Sequence, residues 1–266
     1  MDLSQPRVMA ILNITPDSFS DGGLYLTRDK ALFRVQQLVA EGATIIDIGG
    51  ESTRPGADPV PVQQELDRVM PIIEAIRAEF SILLSIDTQK AEVMRSAIAA
   101  GVEMINDVGA LQAENALAVV ANSKASVCLM HKQGDPKTMQ EQPYYRNIVQ
   151  ELKQFFYARV EACVAAGINK NRILIDPGFG FGKTLAHNLT LVRELSAFKE
   201  IAQPILVGVS RKGSIGQLLK ASVENRLYGS IALAVLAVNN GASIIRTHDV
   251  KATVDALMVA QAVIHS

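Results

Sequence analysis

Apolar residues recur along the chain in short runs rich in Val and Ile, separated by segments with helical periodicity. These short runs are continuous in apolar residues, as expected for parallel strands that are covered on both faces. The helical segments include "RDKALFRVQQLVAEGA" and "VQQELDRVMPIIEAIRAEF", and several of them end in Gly, which favours a left-handed C-cap. The eight predicted strands are "RVMAILN", "TIIDIGG", "LLSIDT", "EMINDV", "SVCLMH", "ILIDPG", "PILVGVS" and "SIIRTH".

This alternation predicts an α/β fold of eight strand and helix units in 266 residues, the usual size of a (β/α)8 TIM barrel. A doubly wound open sheet is the alternative. The seventh unit is the least regular, because "KGSIGQLLKAS" precedes the longer helical run "ENRLYGSIALAVLAVNNG". No linker, charge block or shift in composition divides the chain, so we expect a single domain over residues 1–266.

The composition limits the classes of partner that the protein is expected to bind. The 26 Lys and Arg nearly cancel the 27 Asp and Glu, so no overall field favours nucleic acid or a membrane. No apolar run approaches the roughly 18 residues of a membrane span. Cys128 and Cys163 lie in apolar runs without a CxxC motif, which indicates buried free thiols and a soluble, cytoplasmic protein.

The polar residues that end the strands indicate where a site lies, because the carboxyl ends of barrel strands converge on one mouth. A single Asp after a strand is usually a turn former or helix N-cap. Eight polar strand ends in register are harder to explain in that way. They are Asn13, Asp47, Asp87 with Thr88, Asn106 with Asp107, His131, Asp176, Ser210 to Lys212, and Arg246 with His248.

Asp87 and Asp176 each follow apolar residues, so we expect their carboxylates to lie low in the mouth and to need hydrogen-bond donors. A ligand with an amidine-like N–H edge, such as a 2-aminopyrimidinone, would supply paired donors, with Asn106 beside it. An internal salt bridge to Lys212 or Arg246 is the structural alternative. These two cations also suit an anion or an acceptor-rich heterocycle, since a helix N-terminus does not favour positive charge.

Two glycine-rich stretches follow strands. "DPGFGFGKT" is not a P-loop, since Pro177 stands where that motif requires Gly, and its glycines would let the backbone pass close to a flat ligand or a neighbouring loop. In "GGESTRPG", Thr53 and Arg54 suit a phosphate oxygen, although Arg54 could equally be a solvated loop charge. The four histidines lack zinc-ligand spacing, whereas Mg2+ held partly by substrate phosphates is compatible with this composition.

Together these motifs resemble the dihydropteroate synthase family of the folate pathway. The match runs nearly end to end through eight signatures in order: "NITPDSFSDGG", "GGESTRPGA", "SIDT", "IND", "MHKQGDPKTMQ", "DPGFGFGKTLAHN", "SRKG" and "RTHDV". The resemblance implies a transferase that joins 6-hydroxymethyl-7,8-dihydropterin diphosphate to 4-aminobenzoate, giving 7,8-dihydropteroate and diphosphate. It also implies a pterin-binding barrel that is a target of sulfonamides and forms a homodimer through late helices such as "SIALAVLAV".

The resemblance also assigns residues. It implies a pterin pocket of Asp87, Asn106, Asp176 and Lys212, lined by Met130. It implies a diphosphate site of Asn13, Thr53, Arg246 and His248, in which Asn13 and diphosphate oxygens bind Mg2+. Within "NITPDSFSDGG", it implies that Phe19 encloses aminobenzoate, that Asp21 faces the developing cation and that Ser18 supports the closed turn, and we expect Gly22 and Gly23 to serve as hinges.

Three residues depart from the family pattern, namely Lys132, Asn147 and Gly213. Gly213 stands where a Ser often follows "SRK", near the expected aminobenzoate site, which bears on aminobenzoate affinity and sulfonamide response. Two other functions are alternatives. A methyltetrahydrofolate methyltransferase shares the barrel and pterin pocket but would not need a diphosphate site, and a noncatalytic pterin-binding homologue would have lost loop or phosphate residues.

Overall fold

The computed structural model describes residues 2–14, 24–52, 58–134 and 142–264. Its eight strands are all parallel and close into a barrel in sequence order, with β8 paired to β1. The predicted (β/α)8 barrel is therefore confirmed, and the open doubly wound sheet is excluded. The strands are β1 (Arg7–Asn13), β2 (Ile45–Gly49), β3 (Leu83–Asp87), β4 (Met104–Asp107), β5 (Ser126–Met130), β6 (Ile173–Asp176), β7 (Ile205–Val207) and β8 (Ala242–Thr247).

Helices follow the strands and surround the barrel. Four glycines predicted to end helices, Gly42, Gly101, Gly167 and Gly241, all have positive φ. The seventh unit is irregular as expected, because a short helix and a 3-10 turn precede the long one. The described helices are α1 (Leu24–Ala40), α2 (Val62–Glu79), α3 (Ala91–Ala99), α4 (Ala116–Ala121), α5 (Ile148–Ala165), α6 (Leu185–Arg193), α7 (Gly213–Leu219), α8 (Leu227–Asn239) and α9 (Val250–Ile264).

Two apolar cores hold these layers together. The larger core lies between the strands and the helices and contains Ile46, Leu84, Phe156 and Phe198. The smaller core fills the barrel interior, and we call it the inner ring: Met9, Ile45, Met104, Cys128, Leu174, Leu206 and Ile244. Both cysteines are buried and free, as predicted. Within the described ranges, no helix combines the length and the apolarity needed to cross a bilayer.

Candidate active site

The barrel interior changes from apolar to polar toward the carboxyl ends of the strands. Side chains alternate along a strand, so the residue two positions after an inner-ring residue also faces inward. This upper layer supplies five polar residues to the mouth. Ser85 is included because Leu83, two positions earlier, packs against the inner ring. The layer comprises Ile11, Asp47, Ser85, Asn106, Met130, Asp176, Gly208 and Arg246.

A row of residues in register crosses one side of the mouth. Asn13 pairs with Gly49, Gly49 with Asp87, and Asp87 with Asn106. A Cβ on Gly49 would lie 3.4 Å from Asn13 Oδ1 and 3.8 Å from Asp87 Cβ. Gly49 therefore leaves open space between the Asn13 amide and the Asp87 carboxylate.

Arg246 joins two carboxylates inside the mouth. Its Nε donates to Asp47 Oδ2 at 2.6 Å, and its Nη2 donates to Asp87 Oδ2 at 2.8 Å. Burial by itself would lower the pKa of Arg246, but the charges of Asp47 and Asp87 outweigh burial, so the pKa is raised. The internal salt bridge considered for Asp87 is thus present, and it uses Arg246.

Asp87 keeps one carboxylate oxygen without a partner. Among the described residues, Asp87 Oδ1 is buried and has no hydrogen bond, and the same is true of Asp47 Oδ1 and Ser85 Oγ. The pKa of Asp87 is raised to about 7, because burial, together with the nearby charge of Asp47, outweighs the opposing charge of Arg246. A buried acceptor of this kind stabilises a ligand that brings an N–H donor.

Asp176 lies on the opposite wall with Lys212 nearby. Its Oδ1 accepts a hydrogen bond from the backbone N–H of Gly178 at 2.8 Å. Burial raises its pKa, while the Gly178 N–H and then Lys212 act in the opposite direction. The Lys212 ammonium lies 4.1 Å from the centre of the Phe181 ring, and a Cβ on Gly180 would lie 3.3 Å from Lys212 Cδ. The glycine-rich stretch therefore packs against the Lys212 stem.

The turn before α7 is fixed by contacts on both sides. Arg211 has φ +56°, a left-handed conformation that is uncommon for a residue with a Cβ. Its N–H donates to Ser230 Oγ at 2.9 Å, and its side chain forms a two-pronged pair with Asp249. Ser210 Oγ lies 3.0 Å from His248 Nδ1. These contacts tie the Lys212 turn to the segment that carries His248.

The loops after β5 and β6 interlock beside the site. A Cβ on Gly178 would lie 1.9 Å from the carbonyl oxygen of His131, and a Cβ on Gly182 would lie 2.4 Å from that of Gln133. Lys183 is buried at this seam and donates to the His131 carbonyl at 3.2 Å. Burial lowers the pKa of Lys183 to about 7 and that of His131 to about 3, where the Lys183 charge adds to the effect. Of the two predictions for these glycines, close approach to a neighbouring loop is confirmed.

Asn13 is the candidate metal ligand, and its surroundings suit a hard cation. Its amide oxygen faces the space beside Gly49. The described residues contain no group of three His, Cys, Asp or Glu side chains able to hold a metal. Mg2+ commonly binds one or two protein oxygens and completes its shell with water and phosphate oxygens. The residues present therefore fit Mg2+ that arrives with a phosphorylated ligand.

Most sequence-predicted site residues converge on the mouth. Met130 is buried at the end of β5, in register with Asp176. Asp107 instead forms a turn, since its two oxygens accept the N–H groups of Gly109 and Leu111. Asn147 caps α5 and Lys132 donates to Gln89. These two residues, which depart from the family pattern, therefore each have a hydrogen-bond partner nearby. Phe19, Asp21, Thr53 and Arg54, with Ser18, Gly22 and Gly23, lie outside the described residues.

Two residues at the site were not predicted to belong to it. Asp47 had been noted only as a strand end, yet it contacts Arg246 and Asn106, and the signal was a carboxylate inside the apolar run "TIIDIGG". Lys183 lies in the "GKT" of the rejected P-loop and is buried behind Asp176. Its signal was weak, because a Lys in a glycine-rich loop is usually exposed.

Comparison with known proteins places this site in a family. Residues 9–248 match the family model described as pterin binding enzyme. The chain is 52% identical over 262 residues to the dihydropteroate synthase of Haemophilus influenzae, covering 98% of this chain and 95% of that protein. It superposes with a TM-score of 0.95 on a crystal structure of the Yersinia pestis dihydropteroate synthase with a sulfonamide drug, at 52% identity, covering 100% and 97% of the chains. For the Xanthomonas albilineans dihydropteroate synthase with 4-aminobenzoic acid, the TM-score is 0.94 at 50% identity, covering 100% and 96%.

Proposed function

The chain belongs to the dihydropteroate synthase family of pterin-binding enzymes, and from this membership we propose how its barrel mouth performs the family's reaction. The reaction condenses 6-hydroxymethyl-7,8-dihydropterin diphosphate with 4-aminobenzoate and releases diphosphate. One observation carries the assignment of residues: Asp87 Oδ1 is a buried acceptor without a partner among the described residues, between the amides of Asn13 and Asn106 in register. A pterin offers the N–H donors that this acceptor lacks.

The pterin ring is assigned to the lower mouth. Asp176 and Asp87 accept from its N–H groups, Asn106 donates and accepts beside them, and Met130 packs against its face. Lys212, whose ammonium lies near Asp176, donates to the acceptor atoms of the ring. This division follows from donor inventory, since carboxylates accept only and Lys donates only.

The diphosphate is assigned to the upper rim. Arg246, His248 and Thr53 donate to its oxygens, and Arg54 adds a fork of donors. Asn13 would hold Mg2+ together with diphosphate oxygens. When bound, Mg2+ would supply positive charge that lowers the basicity of the departing diphosphate.

The bond changes need little acid or base chemistry. The C–O bond between the pterin methylene and the diphosphate breaks with its electron pair on the diphosphate oxygen. The aniline nitrogen then bonds to the methylene carbon and loses a proton. Arg246 and His248 stabilise the leaving charge, Asp21 the cationic methylene, and Phe19 keeps aminobenzoate close and water out.

A homodimer is proposed through an apolar face on the last two helices. Helix α8 packs against α9, and both leave large side chains exposed. The exposed non-aromatic side chains are Leu236, Met258, Val259, Val263 and Ile264, at 46% to 71% exposure. An apolar patch of this kind marks an interface more often than a free surface. The reducing cytoplasm suits the two free thiols, so we assign the protein to that compartment.

The decisive experiment measures diphosphate release from purified protein with Mg2+ and both substrates. We expect release only when 4-aminobenzoate is present, with competition by a sulfonamide, and dihydropteroate in equal amount. Pterin binding without turnover would instead indicate a noncatalytic homologue. Methyl transfer from methyltetrahydrofolate without diphosphate release would indicate the methyltransferase.

A further inference from the structure

Asp47 occupies an unusual place for a carboxylate. It lies in the middle of β2, in register with Ile11 and Ser85, and is completely buried. Its Oδ2 accepts two hydrogen bonds, from Arg246 Nε at 2.6 Å and from Asn106 Nδ2 at 3.0 Å. One oxygen therefore holds two side chains from strands on either side of the mouth.

Arg246 has two carboxylate partners that differ in access. Asp87 lies at the end of β3, at the mouth of the barrel, and is 6% exposed. Asp47 lies one inward layer deeper and has no exposed surface. A ligand that donates to Asp87 Oδ1 shares the negative charge that also holds Arg246 at Oδ2, whereas the bond from Arg246 to Asp47 is not shared with a ligand. Asp47 thus keeps the guanidinium in the mouth when its partnership with Asp87 changes.

Asp47 also fixes the orientation of the Asn106 amide. A carboxylate only accepts hydrogen bonds, so the NH2 group of Asn106 must face Asp47. The amide oxygen is then directed away from Asp47 and can accept from a ligand. Without Asp47, the amide could rotate and present the NH2 group in its place.

The geometry points to Asp47 as a positioning residue that sets Arg246 and Asn106 for the pterin substrate without touching it. This inference rests on the proposed function. It predicts that loss of the Asp47 carboxylate weakens pterin binding through both neighbours and leaves the aminobenzoate side of the reaction intact.

The test compares Asp47→Asn with Asp107→Asn. Both carboxylates are fully buried, but the hydrogen bonds that Asp107 accepts within the described ranges come from the backbone N–H groups of Gly109 and Leu111. By calorimetry, Asp47→Asn should raise the Kd for 6-hydroxymethyl-7,8-dihydropterin diphosphate, the ligand assigned to both Asn106 and Arg246, about 30-fold and Asp107→Asn less than about threefold. The KM for 4-aminobenzoate should change less than about twofold in Asp47→Asn, a split that general loosening of the barrel would not produce.

A second comparison separates positioning from structural support. If Asp47 acts through Arg246, the losses should not add. The double variant Asp47→Asn with Arg246→Lys should then have a Kd for the pterin diphosphate within about threefold of that of the weaker-binding single variant. Should Asp47→Asn fail to fold, Asp47→Ala is assayed with and without formate, which replaces the missing carboxylate, and we expect formate to restore pterin affinity. Three results would overturn the inference. One is a double variant in which the affinity losses of the two single variants multiply. The others are wild-type pterin affinity in Asp47→Asn and a folded Asp47→Ala whose affinity does not respond to formate. A wild-type protein that releases no aminobenzoate-dependent diphosphate would instead overturn the proposed function.

Discussion

Arg246 Nη2 donates to Asp87 Oδ2 at 2.8 Å, which bonds a cation assigned to the diphosphate directly to a carboxylate assigned to the pterin. In the proposed assignment, the two halves of the substrate are therefore bound by side chains that contact each other. Charge in one half of the site therefore affects the other half. The protonation of Asp87 is the most direct way to observe this coupling.

Asp87→Asn should change how stability depends on pH. The folded pKa of Asp87 is about 7, above the roughly 3.9 of an unfolded Asp, so the folded protein holds more protons between these values. The wild type should therefore lose stability relative to Asp87→Asn as pH rises from about 4 to about 7. Urea unfolding at intervals across this range measures the difference.

Asp255→Asn is the control for that series. Asp255 is an exposed carboxylate paired with Lys251 on α9. Removing its charge should leave the pH dependence of unfolding close to that of the wild type. Parallel curves for the wild type and Asp87→Asn would refute the raised pKa of Asp87.

Asp176→Asn tests the charge of the other pterin carboxylate. Asn retains an oxygen that can accept from Gly178 N–H, so the loop should keep its shape. Pterin binding should weaken by about 2 kcal/mol, because a charged acceptor becomes neutral. Calorimetry with 6-hydroxymethylpterin measures this loss, and unchanged affinity would remove Asp176 from the pterin site.

The polar mouth was predictable because two regularities combine. The period of two along a strand and the convergence of barrel strands predict that Asp87, Asn106 and Asp176 meet. The structure places Asp87 and Asn106 in register, and the charge of Arg246, which bonds to Asp87, also acts on Asp176. The Asp47 and Arg246 pair was not predictable. These residues are 199 positions apart, and only closure of β8 onto β1, next to β2, brings them together.

The close contact between the loops after β5 and β6 also could not be predicted from the sequence. The clash distance of 1.9 Å at Gly178 depends on where the His131 carbonyl lies, and that position belongs to a loop 47 residues earlier in the chain. Glycine in a loop indicates conformational freedom or close approach, and a sequence does not tell which atom approaches. The roles of Phe19, Asp21, Thr53 and Arg54 stay predictions.

Gly178→Ala should damage both stability and pterin binding. The residue has φ +69°, and its Cβ would overlap the His131 carbonyl oxygen, a backbone atom that cannot rotate away. We expect a loss of about 3 kcal/mol or more in the free energy of unfolding. Pterin affinity should fall as well, because Gly178 N–H bonds to Asp176.

Gly167→Ala is the matched control for this substitution. Gly167 also has positive φ, +95°, but no atom lies within 4 Å of its added Cβ. It should cost only about 1 to 2 kcal/mol of backbone strain and leave pterin affinity unchanged. Equal losses in the two variants would mean that strain, and not the contact with His131, governs Gly178.

His131→Phe should remove a component of acid sensitivity. The folded pKa of His131 is about 3 and an unfolded His titrates near 6.5, so the unfolded chain binds more protons between these values. The contribution of neutral His131 to the free energy of unfolding is thus full above about pH 6.5 and decreases toward pH 3. Relative to His131→Phe, the wild type should lose up to about 3 kcal/mol between pH 7 and pH 4, measured by urea unfolding. Parallel curves would mean that the pKa of His131 is the same in the folded and unfolded states.

Val259→Glu should dissociate the proposed homodimer. Val259 is 67% exposed in the apolar face of α8 and α9, so burial against a second copy would place an unpaired carboxylate inside the interface. Sedimentation velocity should show a dimer for the wild type and a monomer for Val259→Glu. Phe33→Glu is the matched control, because Phe33 is 62% exposed on α1 and should leave the dimer intact. A monomeric wild type, or a dimer that survives Val259→Glu, would assign this apolar face to another role.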